Sequence, residues 1–256
     1  MQIISIVNQK GGVGKTTSTI NIAAALAMLK YRVLTIDFDP QGNLSSGLGV
    51  GESLREKNIY NIILNEYDVN SCILRTKVEY LDIIPSKMDL AAFELDVVNK
   101  KDREFLLSGV LKGITIDYDY IFIDCPPSLG LLTVNALTSC DFVLIPVQCE
   151  YFALEGLSYL LETTETIKYN FNDRLKILGV LLTMYDKRNK LTEQIENDVR
   201  SCLGDLVFKS VIPRNVKLAE CTSFGNPIII YDKTCIGAIA YVNFVNEMVK
   251  KYDGKK

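Results

Sequence analysis

The chain has 256 residues and a mass of 28.7 kDa, with 48% hydrophobic and 23% charged residues, the proportions of a globular protein with room for one large α/β domain or two small ones. It has no histidine, which excludes Ser-His-Asp and Cys-His nucleophiles, imidazole acid–base chemistry and His-containing metal sites. The formal charge of −3 is unevenly spread: residues 168–256 hold 15 Lys/Arg against 10 Asp/Glu, and residues 1–167 hold 13 against 21, which fits either a basic face for a polyanion or chance.

In chain order, strand-like apolar runs fall at Ile3–Val7, Arg32–Ile36, Tyr80–Ile84, Tyr120–Asp124, Phe142–Pro146, Lys176–Leu182 and Phe208–Ile212. Helix-like stretches fall between and after them, at Lys15–Lys30, Asp89–Glu94, Glu104–Leu111, Leu131–Leu137, Leu154–Tyr169, Thr192–Leu203 and Gly237–Lys251. This alternation is the signature of parallel βαβ units. Several strands are apolar on both faces, as in a sheet covered by helices on both sides. No repeat, low-complexity tract or Pro/Gly/Ser linker divides the chain, so residues 1–256 read as one domain.

The strand-like opening lacks the basic region and cleavage site of a signal peptide, and no apolar run approaches the roughly 20 residues needed to span a bilayer. A soluble chain is expected. The seven cysteines (Cys72, Cys125, Cys140, Cys149, Cys202, Cys221 and Cys235) form no CxxC pair and read as buried, reduced thiols; a cluster shared between two chains is the other reading.

The first strand runs into Asn8-Gln9-Lys10-Gly11-Gly12-Val13-Gly14-Lys15-Thr16-Thr17, and a helix pattern follows. Glycines there let successive backbone N–H groups point at phosphate oxygens, and the helix start adds its positive end. Lys15 would reach the β- and γ-phosphates of a nucleotide, and the Thr16 hydroxyl would hold Mg²⁺. The usual phosphate loop has glycine five residues before Gly14, where this chain has Gln9, so the loop is a deviant form. Lys10 has two readings: a solvated loop residue, or an ammonium donated across a dimer to the partner's nucleotide, neutralising charge during phosphoryl transfer.

Two acidic motifs sit where strands end, the edge from which parallel sheets address ligands. Asp37-Phe38-Asp39-Pro40-Gln41-Gly42-Asn43 places Asp39 one step beyond a strand, free to orient an attacking water. Asp124 closes the apolar run Tyr120–Asp124 and reads either as a strand-end cap or as the second Mg²⁺-associated carboxylate, acting directly or through a water.

With KGGVGKTT at 10–17, DFDPQGN at 37–43, IDCPPSLGLLTVNAL at 123–137, PVQCEYFALEGL at 146–157 and VIPRNVKLAE at 211–220, nearly the whole chain resembles the ParA/Soj branch of the deviant-Walker ATPases, relatives of MinD. The resemblance implies a P-loop NTPase of α/β class, with a mostly parallel twisted sheet flanked by helices on both faces. It implies ATP and Mg²⁺ as cofactors, an ATP-bound sandwich homodimer, binding to non-specific double-stranded DNA, hydrolysis stimulated by a ParB/Spo0J-type partner, and a cytoplasmic, nucleoid-associated location without membrane binding. Carried onto matching positions, Lys10, Lys15 and Asp39 are catalytic. Gly11, Gly12, Val13, Gly14, Thr16 and Thr17 cradle the nucleotide, and Pro213 and Asn215 contact adenine. Thr16 and Asp124 serve the metal, Asp124 through water, while Arg188 and Lys217 bind DNA backbone. Three basic residues within 187–190 also read as a solvated loop.

The chain departs from the family after Tyr231-Asp232, where Lys233-Thr234-Cys235 stands in place of arginines. A MinD-like membrane ATPase is the alternative. It needs a free amphipathic C-terminal helix, whereas Val242, Phe244, Val245, Met248 and Val249 read as a stripe packed on the domain. An electron donor like the nitrogenase iron protein would need two cysteines per chain around a shared cluster.

Overall fold

The strand-like runs assemble into one eight-stranded sheet in a computed structural model that describes residues 1–150 and 153–252. The strands are β1 (Gln2–Ile6), β2 (Val33–Asp37), β3 (Leu74–Arg75), β4 (Leu81–Ile84), β5 (Tyr120–Asp124), β6 (Phe142–Gln148), β7 (Lys176–Tyr185) and β8 (Val207–Pro213). Their spatial order is β3-β4-β2-β5-β1-β6-β7-β8, parallel throughout except where β3 meets β4. The helices are α1 (Lys15–Met28), α2 (Asn43–Gly47), α3 (Ile59–Ile63), α4 (Phe93–Asp96), α5 (Leu106–Lys112), α6 (Leu131–Ser139), α7 (Ala153–Asn170), α8 (Lys190–Leu203), α9 (Val216–Ser223), α10 (Ile228–Tyr231) and α11 (Ile236–Tyr252). Tyr151 and Phe152 of the PVQCEYFALEGL motif, and the tail 253–256, lie outside the described residues.

Two-residue periodicity divides the core. Along β5, Ile121 and Ile123 face a layer built with Ile59, Leu107, Ala136, Leu157 and Val199, from α3, α5, α6, α7 and α8. Tyr120 and Phe122 face the opposite layer, built with Ile20 and Leu26 of α1 and Tyr241 and Phe244 of α11. Helices therefore cover both faces, as the apolar strands imply. Burying each such large side chain contributes roughly 1.5–3 kcal/mol.

From β1 the chain passes over β5's position to β2, and after β5 it lands at β6 on the other side of β1. The direction of winding thus reverses around β1, and a crevice opens at the carboxyl ends of these strands, where an α/β sheet receives its ligand. Register then fixes the acids: Asp124 of β5 lies opposite both Ile6 of β1 and Asp37 of β2.

The C-terminal helix belongs to this core, with one correction. Tyr241, Phe244, Val245 and Met248 are buried at helical spacing, but Val242 is 39% exposed, because it sits a residue off that stripe. Among the described residues no helix is long and apolar enough to cross a membrane. All seven cysteines are free thiols; five are buried, while Cys202 is exposed and Cys235 partly exposed, against the expectation of uniform burial.

Candidate active site

The loop after β1 is held from below by the neighbouring strands. Asn8 donates its side-chain amide to the Pro146 carbonyl of β6 at 2.7 Å and accepts from the Lys10 N–H at 2.9 Å. Thr183 of β7 donates its hydroxyl to the Val13 carbonyl at 2.8 Å. Gly12 (φ 77°) and Gly14 (φ 89°) lie in left-handed backbone, and Gly14 occupies the cap position of α1, so the turn into the helix requires them. Gly11 is not in left-handed backbone, and a Cβ there would meet nothing within 4 Å.

Lys15 is 7% exposed, and its ammonium donates to the Lys10 carbonyl at 3.1 Å. Burial pulls its pKa below the ordinary lysine value against the opposing pull of Asp124. Thr16 donates its hydroxyl to Asp124 Oδ2 at 2.7 Å, and Thr19 reaches Oδ1 of the same carboxylate at 3.0 Å. Asp124 is fully buried, and desolvation, then the charge of Asp37, pushes it up to about 7. Asp37 is likewise pushed up to about 6 by burial, although the Ser45 N–H (2.8 Å) and hydroxyl (2.7 Å) both donate to it. Two carboxylates in register, supported by hydroxyls and amides, make a place where a cation would relieve the cost of burial.

Asp39 is 7% exposed and accepts the Gln41 N–H on Oδ1 at 2.9 Å. It shares a cavity of about 520 Å³ with Gly11, Gly12, Gly14, Lys15, Thr16 and Thr17. Gln41, Asn43 and Ser46 wall the same space from the β2 side, and Thr222 and Ser223 from α9. A second cavity of about 360 Å³ continues from Gly14, Thr17 and Met184 into an apolar slot between Ile212, Pro213, Asn215 and Leu218. The first suits a chain of phosphates and the second a flat base. Asn215 also caps α9 by accepting the Lys217 N–H at 2.8 Å.

A divalent cation fits this donor set in one way. Among the described residues no three acidic or thiol groups gather as a cage. Thr16 and the buried Asp124 instead offer one hydroxyl and one carboxylate, the sparse protein contribution that Mg²⁺ accepts when phosphates and waters complete its shell.

Lys10 does not stand unengaged at the mouth: its ammonium pairs with Glu150 of its own chain, both side chains 46% exposed. Arg188 and Lys217 lie away from the phosphate cavity. Arg188 is held in two bonds by Asp186 (2.9 and 2.8 Å), beside a groove of about 690 Å³ that also includes Lys187 and Arg214. Lys217 pairs with Asp232 and is not among that groove's residues. The guanidinium holds the Asp186 carboxyl down at about 2, and the ammonium holds Asp232 below the usual carboxylate range.

Sequence reasoning passed over Met184, Thr183, Thr19 and the α9 hydroxyls. Met184 borders both cavities with φ 50°, an uncommon backbone for a residue with a side chain. Thr19, four residues from Lys15 on α1, was the one legible in principle, because helical spacing puts it on Lys15's face.

A family model described as an AAA domain matches residues 1–177. Over 253 residues, 98% of this chain and 95% of the relative, the sequence is 46% identical to the chromosome partitioning protein ParA of Caulobacter vibrioides. It is 50% identical over 247 residues, 96% of this chain and 98% of the relative, to the sporulation initiation inhibitor protein Soj of Bacillus subtilis. Among solved structures, the cobyrinic acid a,c-diamide synthase of Mycobacterium smegmatis with bound ATP analogue and magnesium superposes with a TM-score of 0.89 at 32% identity, covering 100% of this chain and 97% of that one. Identity of this order along nearly the full length places the chain in the ParA/Soj family of chromosome-partitioning proteins.

Proposed function

We propose that residues 1–256 form one Mg²⁺-dependent ATPase unit that works as a DNA-partitioning switch. Two ATP-bound subunits close into a sandwich, the dimer binds double-stranded DNA without sequence preference, and a ParB/Spo0J-type partner stimulates hydrolysis and release. The observation that carries this reading is the joining of Lys15, Thr16 and Asp39 around one cavity, with Asp124 bonded to Thr16 behind it.

In this scheme Lys15 and the N–H groups of Gly11 to Thr17 bind the triphosphate, while Pro213 and Asn215 flank the base. Magnesium, when bound, neutralises phosphate oxygens; Thr16 would hold it directly and Asp124 through water. Asp39, at the cavity wall, orients water for in-line attack. Lys10 leaves Glu150 to reach the partner's phosphates, and the open space at Gly11 lets the second subunit approach. Arg188 and Lys217 exchange their carboxylate partners for DNA phosphates. The packing of α11 on the domain favours this reading over a MinD-like membrane anchor, and a cytoplasmic, nucleoid-associated location follows from it.

The test is Asp39→Ala. It should retain ATP and accumulate ATP-dependent dimers by light scattering while phosphate release stops. A variant that turns over ATP at the parent's rate overturns the assignment.

A further inference from the structure

Arg55 lies outside every motif and is 6% exposed. Its guanidinium makes four hydrogen bonds to neutral acceptors: Nε and Nη2 to the Val50 carbonyl (3.0 and 2.7 Å), Nη1 to the Gly42 carbonyl (3.2 Å) and Nη2 to Ser46 Oγ (2.8 Å). Burying a cation on neutral partners is costly, so the fork must hold something that would otherwise move. What it holds is the segment 42–50, closed end to end by one rigid group.

That segment is the wall of the phosphate cavity. Gly42 donates its N–H to the Asp39 carbonyl at 3.0 Å, and Asn43, Ser46 and Gly47 border the cavity beside Asp39. Its other fastenings include Ser45 on Asp37, the Ser86 N–H on the Ser45 hydroxyl (3.1 Å) and the close backbone meeting of Gly49 with Gly225, where a Cβ on Gly225 would lie 2.7 Å from Gly49 Cα. Gly42 itself has φ 62°, and a Cβ there would fall 2.5 Å from Arg55 Nη1, so the arginine and the glycine are matched to each other. Neither Arg55 nor its three acceptors belongs to the loop at 10–17 that grips the triphosphate.

We infer that Arg55 is a positioning residue for hydrolysis: acting through the Gly42 carbonyl, it fixes Asp39 and the Gln41–Ser46 wall, and so governs turnover rather than nucleotide affinity. This rests on the ATPase reading of Asp39. Lysine at 55 keeps the charge but cannot span the Gly42 and Val50 carbonyls together.

The experiment compares full-length parent, Arg55→Lys, Gly42→Ala and Asp39→Ala. It measures Kd for a fluorescent ATP analogue with Mg²⁺, kcat and KM for phosphate release, and amide exchange across 39–47. Arg55→Lys and Gly42→Ala should hold Kd and KM within about twofold, lower kcat about tenfold per bound nucleotide, and speed exchange in 39–47. Should Arg55→Lys fail to fold, Gly42→Ala carries the same kinetic split alone. A parent-like kcat per bound nucleotide, or a loss appearing wholly in KM or Kd, overturns the inference. If Asp39→Ala turns over normally, the ATPase reading fails instead, which separates the two.

Discussion

Asp124→Asn tests the electrostatics of the site without any ligand. The buried Asp124 carboxyl keeps its proton up to about pH 7, whereas an unfolded aspartate loses it near 3.8. Between those limits the folded chain binds the additional proton, so stability falls as pH rises across the window. The rise from 3.8 to about 7 corresponds to a ceiling of about 4 kcal/mol above pH 7. Asparagine removes that charge and keeps one oxygen to accept a hydroxyl, but its amide N–H groups face the Thr16 and Thr19 hydroxyls, which donate to the carboxylate, offsetting about 1–3 kcal/mol. The net gain is roughly 2 kcal/mol at pH 8, or roughly 4–8 °C in Tm for a chain of this size. The assay is thermal unfolding of both proteins in chelator, without nucleotide, at pH 5 and pH 8. The variant should melt higher than the parent at pH 8 and lose that advantage at pH 5. A variant that melts at or below the parent at pH 8, with an unchanged difference at pH 5, refutes the reasoning.

Gly11→Val should fold and bind nucleotide like the parent, since a Cβ there has open space within 4 Å, yet remain monomeric with ATP in light scattering. Arg188→Ala should weaken binding to a random duplex and flatten the salt dependence by about one unit of slope in anisotropy titrations, equally for scrambled sequences.

The layers of the fold were legible because the central strands are apolar on both faces, and Tyr120–Asp124 needed no correction at all. Helices α2, α3, α9 and α10 and strand β3 escaped. Helix α2 spans five residues and α10 four, too short to show a helical period, and β3 has two residues and faces an edge. At the site, sequence spacing located each acid at a strand end but could not set Asp37 and Asp124 opposite each other, because register between β2 and β5 depends on packing 87 positions apart in the chain. Arg55 was illegible for a related reason. Its partners are two backbone carbonyls and a serine hydroxyl, and carbonyls carry no sequence signature.

The basic last third also reads differently once its contacts are known. Its excess of cations suggests a bare positive face, yet Arg188 rests on Asp186 and Lys217 on Asp232, while Lys10 rests on Glu150 at the crevice. Exposed pairs of this kind are weak and screened by salt, so they cost little to break. They still lower the attraction of each cation for a single phosphate. Under the proposed function the log affinity for a duplex grows with the number of phosphates neutralised together, so one subunit would hold DNA less tightly than two. A dimer would double the cations facing one duplex, and under that proposal the closing of two subunits, not the strength of any one cation, would set the threshold for binding.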